Sequence, residues 1–191
     1  MLFRSKGASL LLFWQEIVKN SKEMGCVCPS SRKLSAAMAE HVMPGDGLIV
    51  ELGGGTGAIT KALLERGIPH EQIIVIERAE SMVEFLKEKF PKVKILCGDA
   101  VNLCELLGSD VLNVKTIVSS LPFRSLSFKT IRQISREVDQ VLLNGGSFIQ
   151  FTYALHSKVT LLPSRFHRVK SKIIWRNLPP ARVDVFESSR S

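Results

Sequence analysis

The order of β-rich and amphipathic runs between residues 48 and 153 constrains this chain more than any other feature. "LIVEL" (48–52), "QIIVIE" (72–77), "VKILCGD" (93–99), "KTIVSSL" (115–121) and "SFIQFTY" (147–153) are rich in Val, Ile and Phe. Each is bounded by Gly, Pro, Asp or Asn, so each reads as a strand. Between them, apolar residues recur three or four apart, as in Met82, Phe85, Leu86 and Phe90, and in Phe128, Ile131, Ile134, Val138 and Val141. That spacing predicts helices. Strands alternating with helices build right-handed βαβ units, hence a mostly parallel sheet covered on both faces. The tail breaks the rhythm: "VKSKIIWRN" (169–177) and "ARVDVFES" (181–188) are joined around "LPP" with no helix between them, which predicts a terminal β-hairpin.

The first strand runs into "VELGGGTGAITKALLERG" (50–67). In a βαβ unit the first strand-to-helix turn faces the ligand, and glycines let the backbone approach it closely. The spacing is Gly53-x-Gly55-x-Gly57, which is not G-x-G-x-x-G, and no Lys-Ser/Thr pair follows. Both familiar phosphate grips are therefore weakened. Three acids narrow the ligand further: Glu51 before the glycines, Glu77 at the end of the second strand, and Asp99 after the third. Glu77 is placed to accept from ribose hydroxyls. Three carboxylates suit a sulfonium cation better than a pyrophosphate, by Coulomb sign. Singly, Glu77 and Asp99 are also readable as helix caps; the three in order at strand ends carry the inference.

Five alternating strands followed by a hairpin resemble the seven-stranded, Rossmann-like α/β sheet of class I S-adenosylmethionine-dependent methyltransferases. The resemblance implies S-adenosylmethionine as cofactor, held by Glu51, Gly53, Gly55, Thr56, Gly57, Glu77, Arg78, Asp99, Ala100 and Ser119, with Asp99 near the adenine amino group and Glu51 toward the methionine end. After the fourth strand the chain reads "VSSLPFRSL" (118–126). Adenine N6 methylases place Asn or Asp before such a Leu-Pro-aromatic run. Here Ser120 stands at that position, which counts against a ribosomal RNA adenine dimethylase, the alternative reading.

Over nearly its whole length the chain is similar to the bacterial soluble-type phospholipid N-methyltransferases. The matching pieces are "CVCPSSRKLSAAMAEHV" (26–42), "VELGGGTG" (50–57), "VIE" (75–77), "GDA" (98–100), "VSSLPFRSL" (118–126), "QFTYAL" (150–155) and "RNLPPARV" (176–183). Gly54 stands where that family often has Pro, a change expected to loosen the turn. The resemblance implies methylation of phosphatidylethanolamine toward phosphatidylcholine. Tyr153 and Ser120 become the expected catalytic residues, Tyr153 also holding the amine, with Arg124 and Arg32 for the lipid phosphate. A catalytically weak membrane-surface binding module of the same shape is a further alternative.

The charge distribution agrees with an anionic surface as partner. Residues 1–33 carry six Lys/Arg against two acids and residues 150–191 eight against two, while residues 34–149 are slightly acidic. Both ends are basic. "SLLLFWQEIVKN" (9–20) puts Leu10, Phe13, Trp14, Ile17 and Val18 on one helical stripe among Arg4, Lys6, Lys19 and Lys22, a pattern suited to a helix lying in a membrane interface. The same pattern also suits a helix that packs on the core. A single domain over 1–191 is expected, with 1–33 as amphipathic helix and cap segment and 34–191 as the core. The expected location is cytoplasmic, peripheral to the inner face of the membrane, with nucleic acid not expected as a partner. Cys26, Cys28, Cys97 and Cys104 lack paired C-x-x-C spacing, so no metal site is expected. His156 and His167 have no serine or cysteine partner at an informative spacing, and hydrolase chemistry gains no support.

Overall fold

A computed structural model describes residues 32–45, 47–155, 162–177 and 179–188. The stripe at 9–20 and the beginning of the 26–42 match lie outside the described residues. Among the described residues, five α-helices and seven strands follow in order: α1 (Arg32–Ala39), β1 (Leu48–Leu52), α2 (Ala58–Glu65), β2 (Ile73–Glu77), α3 (Glu80–Lys89), β3 (Lys94–Cys97), α4 (Leu103–Leu107), β4 (Val114–Ser119), α5 (Phe128–Val141), β5 (Gly146–Thr152), β6 (Phe166–Ile174) and β7 (Ala181–Ser188). The strands form one sheet in the order β3-β2-β1-β4-β5-β7-β6. β1 pairs in parallel with both β2 and β4, β4 with β5 likewise, and β7 runs antiparallel between β5 and β6.

The strands alternate faces with period two, and that alternation builds two cores. Ile49, Val75, Val118 and Ile149 face α1, α2 and α3, where they meet Leu34, Met38, Ile59, Leu63 and Leu86. Val50, Ile76, Ile117 and Phe148 face α4 and α5, where they meet Leu103, Leu107, Ile134 and Val138. The expected stripe of α5 is buried at Ile131, Ile134, Val138 and Val141, but Phe128 is exposed. It is the first helical residue, one turn ahead of the face that reaches the sheet. Ser127 caps that helix by accepting the Thr130 N–H at 3.1 Å.

Strand boundaries shift from the expected ones where a side chain or turn takes over the backbone. β3 ends at Cys97 because Asp99 caps the next turn, accepting the Val101 N–H at 3.1 Å. β4 ends at Ser119, two residues early. The hairpin forms as expected, but its first strand is 166–174 rather than 169–177. Phe166 joins the core on the α5 side, while Trp175 to Asn177 leave the ladder, with Asn177 Nδ2 donating to the Pro179 carbonyl at 2.7 Å.

Strand order is what positions the site. From β1 the chain moves outward to β2 and β3, then returns to β4 on the other side and moves outward to β5. The reversal falls between β1 and β4, and in open α/β sheets the ligand crevice lies beyond the C-terminal ends of the strands at that point. The turns after β1 and β4 therefore face one crevice. Among the described residues no helix is long and apolar enough to cross a membrane.

Candidate active site

The glycine turn is shaped on three sides. Gly53, Gly55 and Gly57 have φ of 80°, 49° and 74°, the left-handed region that L side chains rarely adopt. A Cβ on Gly53 would meet Ser120 Oγ at 2.8 Å, and one on Gly57 would collide with the Phe90 ring. One on Gly55 would meet nothing within 4 Å. Gly53 and Gly57 thus press against the protein, and Gly55 borders open space at the crevice. Gly54 differs from its expected loosening role: a Cβ there would lie 2.5 Å from Val75 Cγ1 and 2.7 Å from Leu86 Cδ1, so glycine packs this turn tightly. Lys89 clamps the turn from outside, donating to the Thr56 carbonyl at 2.7 Å while its ammonium sits 5.2 and 5.3 Å from the Phe85 and Phe90 ring centres.

The three acids separate into two roles. Glu77 accepts the Gly55 N–H on Oε2 and the Ala79 N–H on Oε1, both at 2.9 Å, so its carboxylate is fixed at the rim of the crevice with lone pairs left for ligand hydroxyls. Asp99 caps Val101 and lies 3.6 Å from Arg78, whose side chain is 80% exposed. The capping reading therefore holds for both acids. Glu51 is 1% exposed, and its carboxyl accepts the Thr60 hydroxyl at 2.6 Å. Burial, aided by the nearby Glu77 charge, pushes its pKa up to about 8 against the pull of the Thr60 hydrogen bond. The negative field for a cationic ligand accordingly comes from Glu77 and Asp99, with Glu51 mostly neutral near pH 7.

The turn after β4 is locked onto the glycine turn. Ser120 N donates to the Leu52 carbonyl at 2.9 Å. Its hydroxyl donates to the carbonyls of Leu52, at 3.1 Å, and Gly53. Ser119 Oγ accepts the Leu121 N–H at 3.3 Å, so Ser119 shapes this turn. Tyr153 follows β5 at the same end of the sheet, half-buried and edge-on to Phe151 with ring centres 5.4 Å apart. Arg32 is exposed at the start of α1, and Arg124 lies in the short turn Phe123–Ser125. Ala100 is buried behind Asp99.

Three contributors carried no expected role. Thr60 partners Glu51, Lys89 clamps the turn, and Gln150 donates from Nε2 to the Leu121 carbonyl at 3.0 Å. Gln150 is 8% exposed and its Oε1 has no hydrogen-bond partner among the described residues. A lone amide in the apolar strand "FIQFT" was the available signal.

A reversed-order sheet with a terminal antiparallel hairpin, a glycine turn whose Cβ-free face borders the crevice, and an acid at the end of the second strand that holds that turn define a class I methyltransferase. Residues 49–146 match the family model described as a methyltransferase domain. The chain belongs to that family, and S-adenosylmethionine is its methyl donor. It is 32% identical over 181 residues to an ornithine lipid N-methyltransferase of Singulisphaera acidiphila, covering 89% of this chain and 91% of that protein. It is 34% identical over 84 residues to a ribosomal RNA small subunit methyltransferase A of Mycoplasma capricolum, covering 43% of this chain and 27% of that one. An uncharacterised methyltransferase of Oceanobacillus iheyensis is 31% identical, and the chain spans 49% of its length. Among solved structures, the fold is similar to TrmN from Thermus thermophilus, with TM-score 0.68, 17% identity, 82% of this chain and 48% of that one covered. It is also similar to a TehB-like S-adenosylmethionine-dependent methyltransferase from Corynebacterium glutamicum, with TM-score 0.62, 14% identity, and 95% and 100% covered.

Proposed function

We propose that this methyltransferase acts on the amine of a membrane-lipid headgroup, converting phosphatidylethanolamine toward phosphatidylcholine. The span of likeness carries this reading: the relative matched over 89% of the chain is named a lipid N-methyltransferase, whereas the ribosomal RNA relative matches 84 residues. The acceptor turn supports it. Ser120 stands where adenine methylases use Asn or Asp, and its hydroxyl hydrogen is spent on main-chain carbonyls.

When bound, S-adenosylmethionine supplies an electrophilic methyl group on a sulfonium sulfur. The protein's part is positioning and deprotonation of the acceptor. A headgroup ammonium resembles the lysine side chain, with a pKa of about 10 in water, and must lose its proton before its lone pair can attack. A half-buried site disfavours the charged form and so promotes that loss to solvent. Ser120 keeps oxygen lone pairs for an amine N–H, and the Tyr153 hydroxyl and ring hold the amine beside it. Arg124 and Arg32 meet the lipid phosphate. The stripe at 9–20 would bring the enzyme to the inner face of the membrane.

An ornithine lipid is a second acceptor, favoured by the name of the long-spanning relative. The test is incubation of the full chain with S-adenosylmethionine and vesicles holding one lipid or the other, with products resolved by mass spectrometry. Methylated phosphatidylethanolamine supports the first reading. Methylated ornithine lipid alone transfers the assignment to the second, and unmodified lipid in both overturns the lipid reading in favour of RNA methylation or a binding module.

A further inference from the structure

Two segments of the chain are basic and free of acids. Residues 120–136 carry four Lys/Arg and no Asp/Glu, and residues 166–181 again carry four and none. Such segments stand out in a chain with 18 acids among 191 residues.

Topology places one exposed aromatic of each segment at the same end of the sheet. α5 follows β4, so its first residue, Phe128, lies at the C-terminal ends of the parallel strands. β7 is antiparallel to β5 and β6 is antiparallel to β7, so β6 runs parallel to β5 and its following turn, Trp175 to Pro180, lies at that same end. Phe128 is 70% exposed and Trp175 69% exposed, and among the described residues they are the large aromatics left open to solvent. Met43, Leu112 and Leu143, also exposed, precede strands and sit at the opposite end. Exposed aromatics gathered on one rim mark a contact surface rather than scattered surface apolarity.

Cations sit beside each aromatic: Lys129 and Arg132 follow Phe128, and Arg176 follows Trp175, all exposed. The hairpin that carries Trp175 is held firmly. Arg182 of β7 donates from Nη2 to Asp184 at 2.8 Å and from Nη1 to the Leu155 carbonyl at 2.6 Å, tying the hairpin to the chain just past Tyr153.

We propose that this C-terminal rim docks on an anionic phospholipid bilayer, with Phe128 and Trp175 entering the headgroup boundary and Lys129, Arg132 and Arg176 meeting lipid phosphates. The inference rests on the lipid-acceptor reading and adds the orientation it requires: the mouth of the crevice faces the bilayer, so a headgroup amine reaches Ser120 and Tyr153 without leaving the surface. Tryptophan suits that boundary because one side of the ring is apolar and its N–H stays wet. Cations near such a surface each strengthen binding by about fivefold.

The test uses the full chain and vesicles of brominated phosphatidylcholine with phosphatidylglycerol, which contain no amine acceptor, so it reads docking independently of methyl transfer. The chain has two tryptophans, Trp14 in the stripe at 9–20 and Trp175, so the reporter is Trp14→Phe, in which Trp175 alone emits. The expected result is that Trp14→Phe co-sediments with the vesicles and that its Trp175 fluorescence is quenched by the bromines. Lys129→Glu/Arg132→Glu/Arg176→Glu should lower the vesicle partition coefficient by at least about tenfold while its thermal unfolding matches the wild type. Trp175 left unquenched in Trp14→Phe overturns the proposal, as does wild-type binding to RNA but not to vesicles. Absence of methyl transfer to every lipid, with Trp175 still quenched, would instead remove the acceptor reading and leave the docking face standing.

Discussion

The main-chain N–H of Gly55 donates to Glu77 Oε2 at 2.9 Å, so the acid that ends β2 holds the turn that follows β1. One carboxylate thereby shapes the cofactor cradle and presents acceptors to the ribose. Glu77→Gln replaces one of those acceptor oxygens with a donor amide. Since hydrogen bonds to a charged group contribute about 1.5–3 kcal/mol, S-adenosylmethionine affinity should fall at least about tenfold by calorimetry. An unchanged dissociation constant would show that Glu77 serves the turn alone.

The glycines separate folding from binding. Gly57→Ala drives a methyl into the Phe90 ring at φ 74°, whereas Gly55→Ala meets open space at φ 49°. Gly57→Ala should cost stability well beyond the roughly 1–3 kcal/mol of the strained backbone alone, seen as a lower urea midpoint. Gly55→Ala should cost about 1 kcal/mol of stability and show its larger effect on cofactor affinity. Equal destabilisation by the two would contradict the assignment of their faces.

Glu51 gives a pH signature. Its pKa of about 8 in the fold lies above the ordinary 4.5, so the folded state favours the neutral carboxyl. That contribution is full below pH 4.5 and is lost as pH rises to 8, at about 1.4 kcal/mol per pH unit at most. Glu51→Gln keeps an acceptor for Thr60 and should be more stable than the wild type at pH 8, with the advantage vanishing near pH 4.5. Parallel stability curves across that window would rule out the buried-carboxyl account.

Tyr153 is the residue by which the acceptor reading meets kinetics. Tyr153→Phe keeps the ring against Phe151 and removes the hydroxyl. Turnover should drop by about tenfold or more, as expected for a group that positions a reacting amine, with S-adenosylmethionine affinity retained. An unchanged kcat would remove Tyr153 from the reaction.

Much of the fold was legible because period-two and helical spacing are local properties. β1 occupies its expected bounds, and β2 and β7 lie within one residue of theirs or on them. The glycine turn and Glu77 were legible for the same reason, since a strand end, three glycines and an acid at the next strand end are near in sequence. What escaped depends on which side chains meet, which neither period nor spacing encodes. Glu51 is buried, with its carboxyl taken by Thr60 in the first turn of α2. Gln150 acquired a role through the Leu121 carbonyl in the turn after the neighbouring strand, 29 residues away. Gly54 looked like a loosened proline position until Val75 and Leu86 closed on it. Trp175 read as part of a strand, and only the register of β6 with β7 puts it in the turn on the active rim.

The most direct measurement puts the competing acceptors in one tube: full chain, methyl-labelled S-adenosylmethionine, vesicles containing phosphatidylethanolamine, and ribosomal RNA, followed by separation of the organic phase from the precipitated RNA. Label should enter the organic phase in the methylated headgroup and be lost with Tyr153→Phe. Label confined to the RNA, or transferred to neither, would contradict the central claim.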